Sequence, residues 1–154
     1  MNHNYYARYK NIFLRPLKHE DIENLRVWRN DPEATRFLRQ VGHITPDMQE
    51  KWFQSYLNNP NEITFAIVET EELNRIVGSV SLYDISDGKA EFGKIQIGDI
   101  QAHGKGIGRV ATVMILALGF EKVGLKKITA CVHQENIPAH SIYMEVGFYH
   151  VETY

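Results

Sequence analysis

Three glycines stand close together in the stretch Gln101–Arg109, which reads Q-A-H-G-K-G-I-G-R. The stretch lies between an apolar run typical of a strand and a long apolar run typical of a helix. Gly104, Gly106 and Gly108 can adopt backbone angles that a Cβ would forbid, and their amides can approach a ligand closely. A loop of this kind at a helix N-terminus is suited to bind a phosphate. The alternative is a tight strand-to-helix turn with no ligand.

The composition limits the classes of protein to which the chain can belong. Hydrophobic residues make up 44% of the 154 residues, and 17 basic side chains stand against 19 acidic ones. This balance is ordinary for a globular protein and gives no excess of basic residues that would indicate nucleic-acid binding. No apolar run is long enough to span a bilayer, and the N-terminus lacks the apolar core of a signal peptide. We therefore expect a single cytoplasmic domain over 1–154 with no membrane partner, in which Cys131 is a small buried side chain.

The hydrophobic periodicity predicts the elements that must position the glycine loop. Alternating runs predict six strands and helical spacing predicts five helices. The strands are expected over 12–15, 63–69, 76–83, 89–97, 127–132 and 148–154, and the helices over 19–29, 32–39, 46–57, 107–123 and 137–146. Since a long helix separates the strand over 127–132 from that over 89–97, these two should be parallel. The fold class is therefore α/β (α+β), with a mixed, mostly antiparallel sheet of about six strands flanked by four to five helices.

Four segments of the chain, in order, resemble the GNAT superfamily of N-acetyltransferases. Gln101–Gly106 matches the family signature Gln/Arg-x-x-Gly-x-Gly/Ala, which holds the pyrophosphate of coenzyme A. The other three segments look like the family's first strand and helix, its fourth strand and its fourth helix: L-R-P-L-K-H-E-D-I-E-N-L, A-E-F-G-K-I-Q-I-G-D and N-I-P-A-H-S-I-Y-M-E-V-G-F. The resemblance covers essentially the whole chain and extends to the branch of ribosomal-protein N-terminal acetyltransferases.

The resemblance implies a site for acetyl-CoA as co-substrate. Amides at the start of a helix can neutralise a pyrophosphate. In the family the fourth and fifth strands splay apart and the pantetheine arm lies between them, where strand amides can also hold the oxyanion of the tetrahedral intermediate. Gly98 is expected to mark a bulge that helps the splay. The cofactor-binding residues implied are Ile95, Gln96, Ile97, Gln101, His103, Gly104, Lys105, Gly106, Ile107, Gly108, Arg109, Asn136 and Tyr143.

Two residues are candidates for proton transfer. Tyr143 matches the family tyrosine that protonates the leaving thiolate, and Asn136, seven residues earlier, either holds the pantetheine or starts the helix. Packing in the core is the alternative role for Tyr143. Glu91 is the first candidate for the general base, because alternation would put it on the strand face of Ile95 and Ile97. An exposed strand acid or a water chain are the alternatives.

The acceptor is expected to lie against the N-terminal helices. The segment with Trp28, Arg29 and Asn30 resembles the W-R-N-D-P stretch of acetyltransferases that act on nucleotide-linked amino sugars. Arginines could bind the diphosphate and an aromatic ring could stack on the base. Packing of Trp28 and Trp52 in the core is the alternative, and protein N-termini or polyamines are further acceptors. No metal is expected, because the spacing of His133, Glu135 and His140 is not convincing for a site.

Two broader hypotheses follow from the same resemblance. The leading one is an N-acetyltransferase that works by direct attack in a ternary complex, and its rival is a non-catalytic acyl-CoA sensor. The chain stops sooner after Gly147 and Phe148 than its resembling proteins do. A homodimer that shares sheet edges is therefore a hypothesis.

Overall fold

A computed structural model describes residues 1–35, 42–132 and 135–149, without the side chains of residues 138 and 140. Six strands form one sheet in the order of the sequence. They are β1 (Ala7–Tyr9), β2 (Ile12–Pro16), β3 (Ile63–Glu69), β4 (Arg75–Ser86), β5 (Lys89–Ile97) and β6 (Lys127–Ala130). Neighbouring strands are antiparallel except β5 and β6, which are parallel. The predicted mixed, mostly antiparallel fold is confirmed.

Four α-helices flank the sheet in the described part of the chain. They are α1 (Ile22–Asn30), α2 (Pro46–Leu57), α3 (Ile107–Leu118) and α4 (Ile137–Glu145). Thr45 begins α2 by accepting a hydrogen bond from the amide of Met48, with a proline in the first turn. The apolar run after the glycine loop continues beyond α3 as a π-helical turn, Gly119–Val123, before Gly124 adopts a left-handed conformation. None of the described helices is long and apolar enough to cross a membrane.

The N-terminal region differs from the prediction in two places. Strand β1 was not predicted, and it pairs with β2 through a turn in which Lys10 has a φ of +52°. The segment predicted to begin the first helix is a 3-10 turn, His19–Asp21. Asp21 is buried there and accepts two hydrogen bonds from the Arg15 guanidinium, at 2.7 and 2.8 Å. Its carboxylate therefore pairs with a strand cation instead of serving only the helix dipole.

Two predicted elements lie wholly or partly outside the described residues. Of the helix predicted over 32–39, residues 32–35 form turns and the rest is not described. Of the strand predicted over 148–154, Phe148 and Tyr149 are not in a strand, and residues 150–154 are not described.

The sheet has two faces, each with its own apolar core. We call them the α3 face, which packs against α3 and α4, and the α1 face, which packs against α1 and α2. Val80, Leu82 and Phe92 are fully buried on the α3 face. Ala66 and Ile76 are buried on the α1 face. The alternation of side chains along each strand assigns every residue near the site to one of these faces.

Strand β5 contains a bulge that reverses this alternation. Ser81 pairs with Gly93 and Ser79 pairs with Gln96, so Lys94 and Ile95 together stand opposite Val80. Lys94 has a φ of +52°, which is unusual for a residue with a side chain. One extra residue on a strand shifts every later side chain to the other face.

The bulge makes the predicted placement of Glu91 wrong. Glu91 pairs with Tyr83, next to the pair of Leu82 and Phe92, and therefore lies on the α1 face. Ile95 and Ile97 come after the bulge and pack against the core of the α3 face. Simple alternation would have kept all three residues on one face. The bulge also lies at Lys94 and not at Gly98, where the sequence had indicated it.

Candidate active site

Strand β5 pairs with β6 over only its first four residues. The parallel pairing runs from Lys89 with Lys127 to Phe92 with Ala130, where β6 ends. Beyond Phe92, β5 keeps its antiparallel partner β4 through the pairs of Gln96 and Ile97. The edge of β5 that would face β6 is therefore open along its second half within the described residues. This opening corresponds to the splay expected between the family's fourth and fifth strands.

The glycine loop follows this open edge directly. Gly104 and Gly106 have φ angles of +75° and +73°, and a Cβ on either residue would have no other atom within 4 Å. Gly106 begins α3 without a hydrogen bond from a side-chain cap. The amides of Ile107, Gly108 and Arg109 are those of the first helical turn, which have no partner within a helix. The loop therefore presents several amides and a positive helix end to open space, which suits an anion.

A network of hydrogen bonds fixes the chain just before the loop. The Arg75 side chain donates to Asp99 Oδ2 at 2.7 Å and to Gln101 Oε1 at 2.8 Å. Asp99 Oδ1 accepts a hydrogen bond from the backbone amide of Gln101 at 3.0 Å. The Arg75 guanidinium holds the pKa of the Asp99 carboxyl below its usual range. The Gln101 side chain therefore braces the loop in this structure.

The two basic side chains of the glycine loop, Lys105 and Arg109, are paired with carboxylates. Lys105 Nζ lies 2.6 Å from Glu72 Oε2, and Arg109 Nη2 lies 2.8 Å from Glu145 Oε1. All four side chains are at least 40% exposed. Exposed ion pairs contribute at most about 1 kcal/mol, so an arriving diphosphate can compete with either carboxylate.

His103 links the loop to the end of β5. Its Nε2 lies 2.6 Å from the carbonyl oxygen of Ile97. Because a carbonyl only accepts, Nε2 must carry the proton. The ring therefore holds the loop against the open strand edge, while the predicted contact of His103 with the cofactor concerned its backbone amide.

Tyr143 lies on the α3 face next to the divergence of β5 and β6. The residue is 8% exposed, and its ring makes an edge-to-face contact with Phe92, with 5.4 Å between ring centroids. It also contacts Phe148, at 5.5 Å. Burial raises the pKa of the Tyr143 phenol to about 12. Core packing and a position at the site are therefore both observed for this residue.

Asn136 begins α4, the helix that carries Tyr143. Its side-chain oxygen accepts a hydrogen bond from the amide of Ala139 at 3.2 Å. Of the two roles weighed from the sequence, the structure displays the helix start. The side-chain amide nitrogen is a donor that this bond does not use.

Glu91 lies at the same divergence but on the opposite face from Tyr143. It pairs across β5 and β6 with Thr129, one position before the last pair. The neighbouring phenol of Tyr83 has its pKa raised to about 12, first by burial and then by the Glu91 carboxylate. Cys131 is close enough to contribute to the same shift, and it is exposed. The prediction that Cys131 is buried is wrong, because β6 ends at Ala130 and the chain leaves the sheet there.

The three predicted acceptor residues at the end of α1 have different environments. Trp28 packs against Gly98, where a Cβ would lie 2.1 Å from the indole ring. Asn30 exchanges two hydrogen bonds with the backbone of Ile44, at 2.8 and 2.9 Å, and so fixes the connection to α2. Arg29 is half-buried, and burial lowers the pKa of its guanidinium. Gly98 is thus required for the approach of Trp28.

Other aromatic and basic residues of the N-terminal helical region are only partly described. Phe53 is buried in the core of the α1 face, and Trp52 is 37% exposed and stacks on Tyr56. Arg36 and Phe37 lie outside the described residues. Among the residues that are described, no three potential metal ligands converge. His133 is not described and neither is the side chain of His140, so the absence of a metal stays a prediction.

Sequence reasoning missed two features of the α1 face. The Gln96 side chain lies there and its Nε2 is buried without a hydrogen-bond partner among the described residues. Asn24, Trp28 and Asp31 together line a cavity beside Gly98. Asn24 and Trp28, four residues apart, lie on one side of α1, which could have been read from the sequence, and Asp31 follows the last residue of that helix. The position of Gln96 could not, because it depends on the bulge.

Comparison with known proteins connects this geometry to a family. The Acetyltransferase (GNAT) domain family matches residues 11–149. An N-acetyltransferase 9-like protein of Nematostella vectensis is 26% identical over 89% of this chain and 74% of its own length. The alpha/beta-tubulin-N-acetyltransferase 9 of Mus musculus is 24% identical over 90% of this chain and 62% of its own length. Across the first three curated relatives, the chain spans between 28% and 74% of their length.

Solved structures share the fold. A domain from Methanocaldococcus jannaschii superposes with a TM-score of 0.79 and 28% identity, covering 92% of this chain and 90% of its own. The spermidine N-acetyltransferase of Vibrio cholerae, solved with CoA and spermine, has a TM-score of 0.84 and 24% identity, covering 92% of this chain and 83% of its own. The family match covers most of the chain, and the strand opening and glycine loop lie within it. The chain belongs to the GNAT family of N-acetyltransferases.

Proposed function

We propose that this chain moves an acetyl group from acetyl-CoA to a primary amine by direct attack in a ternary complex. The observation that carries the proposal is the continuity of two features, the open edge of β5 after Phe92 and the open glycine loop that follows it. A pyrophosphate would bind the amides from His103 to Arg109, and pantetheine would lie along Ile95–Ile97. Both contacts use backbone groups that the fold leaves available.

The reaction needs a proton acceptor for the amine and stabilisation of the leaving thiolate. The amine nitrogen attacks the thioester carbon, the C–S bond breaks, and the amine loses a proton. Glu91 on the α1 face and Tyr143 on the α3 face would flank the thioester from opposite sides. Attack forms a tetrahedral intermediate that collapses as the C–S bond breaks, and Glu91 would accept the amine proton while Tyr143 would donate a hydrogen bond to the leaving thiolate. The backbone amides of Ile95–Ile97 would hold the oxyanion.

The environment of Tyr143 refines its proposed role. A phenol of pKa about 12 stays protonated at neutral pH and can always donate a hydrogen bond. A thiol has a pKa of about 8.5, so complete transfer of the phenol proton to the thiolate would be uphill by roughly 5 kcal/mol. Tyr143 would therefore stabilise the developing thiolate by donating a hydrogen bond, and the final proton would come from solvent.

The acceptor amine is the less constrained part of the proposal. A nucleotide-linked amino sugar was predicted from the segment around Trp28, with arginines on the diphosphate. In the described residues Arg75 is committed to Asp99 and Gln101, so it gives a diphosphate little support. Relatives that are named for tubulin and for spermidine acetylation favour keeping protein N-termini and polyamines as candidates. The nucleotide-linked sugar stays a prediction.

The test is thiol release from acetyl-CoA with a panel of UDP-amino sugars, peptides and polyamines. Tyr143→Phe should lower kcat by about 10²–10³-fold, as removal of one donor from a developing anion does, while coenzyme A still raises the melting temperature. Tyr9→Phe changes a 53% exposed tyrosine on β1 and is the matched control. Coenzyme A binding without turnover of any amine would favour a sensor domain, and no coenzyme A binding would refute the proposed site.

A further inference from the structure

We propose that the cavity beside Trp28 binds a second, non-reacting cationic group of the acceptor, which makes the acceptor a linear di- or polyamine. This inference rests on the proposed function and names the substrate class for the same site. The cavity holds about 430 Å³ and lies between the C-terminal end of α1 and the adjoining ends of β4 and β5. Its polar and aromatic lining comes from Asn24, Trp28, Asp31, Arg75 and Asp99.

The charge of this cavity favours a cation. Among the described lining residues two are acidic, and the one cation, Arg75, is hydrogen-bonded to Asp99. Asp31 therefore remains as the excess negative charge. It also stands at the C-terminal end of α1, where the helix dipole is negative. A diphosphate would meet repulsion in this cavity, and an ammonium group would meet attraction.

The aromatic lining suits the same ligand. Gly98 lets the Trp28 indole pack on the backbone, and the indole also lines the cavity. An ammonium group within about 6 Å of an indole face is attracted by the ring quadrupole. An aliphatic chain can pack on the same surface, together with Ile76, which also lines the cavity. A charged head and an apolar chain are the two parts of an aliphatic polyamine.

Along the chain, Gln96 lies between Gly98, which lines the cavity, and Ile95 at the proposed reaction site. Gln96 and Gly98 are two residues apart on the same face, which is roughly 7 Å along an extended chain. The Gln96 amide nitrogen is buried without a hydrogen-bond partner among the described residues, and Gln96 does not line the cavity itself. An amine chain running from the Trp28 cavity past Gln96 would bring its other end toward the open edge of β5.

The test compares 1,4-diaminobutane with butylamine, which differ by one ammonium group. In acetyl-transfer assays, Asp31→Asn should raise KM for the diamine about tenfold, the value of one charge-assisted contact, with kcat within twofold. KM for butylamine should change less than twofold. Asp47→Asn removes an exposed carboxylate from the first turn of α2, outside the cavity, and should leave both amines unchanged.

A binding measurement separates this inference from the proposed function. Titration with 1,4-diaminobutane should change the intrinsic tryptophan fluorescence of the wild-type chain, and Trp28→Phe and Asp31→Asn should each weaken the response. Diamine binding without acetylation of any amine would support the cavity and refute the transferase. Two outcomes would refute the diamine site and leave the transferase standing. One is turnover in which the diamine has no advantage over butylamine. The other is tighter binding of a UDP-amino sugar than of the diamine, with that sugar binding lost in Trp28→Phe.

Discussion

Replacement of Gly98 by alanine tests how the cavity wall and the end of β5 depend on each other. A Cβ at this position would lie 2.1 Å from two atoms of the Trp28 indole and 2.7 Å from a third. Ordinary contacts begin near 3.4 Å, so the ring must move by more than 1 Å or the strand end must shift. The ring is held by α1, and it cannot retreat without losing its packing against the core of the α1 face.

The expected cost is that of overpacking, about 1–3 kcal/mol of unfolding free energy. Urea unfolding of Gly98→Ala measures this cost. Gly108→Ala makes the same chemical change ten residues later, in α3, where the Cβ would lie 3.8 Å from Ile97. Since alanine is favoured over glycine in a helix, that variant should gain roughly 0.5–1 kcal/mol.

Gly98→Ala also has a functional readout. If Trp28 forms the acceptor subsite, Gly98→Ala should raise KM for the acceptor by more than it changes the Kd of coenzyme A. Equal stability of the wild type and Gly98→Ala, together with an unchanged acceptor KM, would show that Trp28 does not pack on this glycine.

Three further outcomes are expected. Glu69 accepts hydrogen bonds from the backbone amide of Leu73 and from its neighbours, and these bonds hold the pKa of the Glu69 carboxyl at about 2. Glu69→Gln should therefore lower the unfolding free energy at pH 7. Urea unfolding should show the difference from the wild type shrinking as the pH falls from about 4.3 toward 2. Glu71→Gln changes an exposed glutamate two residues away and is the matched control. Glu72→Gln should tighten coenzyme A binding up to about fivefold in calorimetry, because it releases Lys105 from an exposed pair. Gly106→Ala should weaken coenzyme A binding at least tenfold, because the loop requires a φ of +73° there, and unchanged affinity would contradict the role of the loop.

Much of the fold could be predicted because its signals are local. Alternation over Ile63–Glu69 and helical spacing after Thr45 specify an element without reference to the rest of the chain. The link between the parallel strands follows from the length of the intervening helix. The short edge strand Ala7–Tyr9 gives no comparable signal, because three residues are too few to show a period.

The candidate site was predictable in its backbone and less so in its side chains. The glycine spacing in the sequence predicted an open loop, and Gly104 and Gly106 have open space around them in the structure. The partners of Lys105 and Gln101 are Glu72 and Arg75, which lie near the start of β4 and are distant in sequence. No local sequence pattern predicts these pairs.

The sequence by itself determined the resemblance to the family, the meander of β3 to β5 and the position of the glycine loop, because each depends on residue types at short spacing. The tertiary structure alone decided which face of β5 carries each candidate. Lys94 adopts a left-handed backbone conformation that a lysine in the sequence does not predict. The extra residue opposite Val80 moves every later side chain of β5 to the other face. For that reason Ile95 and Ile97 lie on the opposite face of β5 from Glu91, and Gln96 lies on the α1 face.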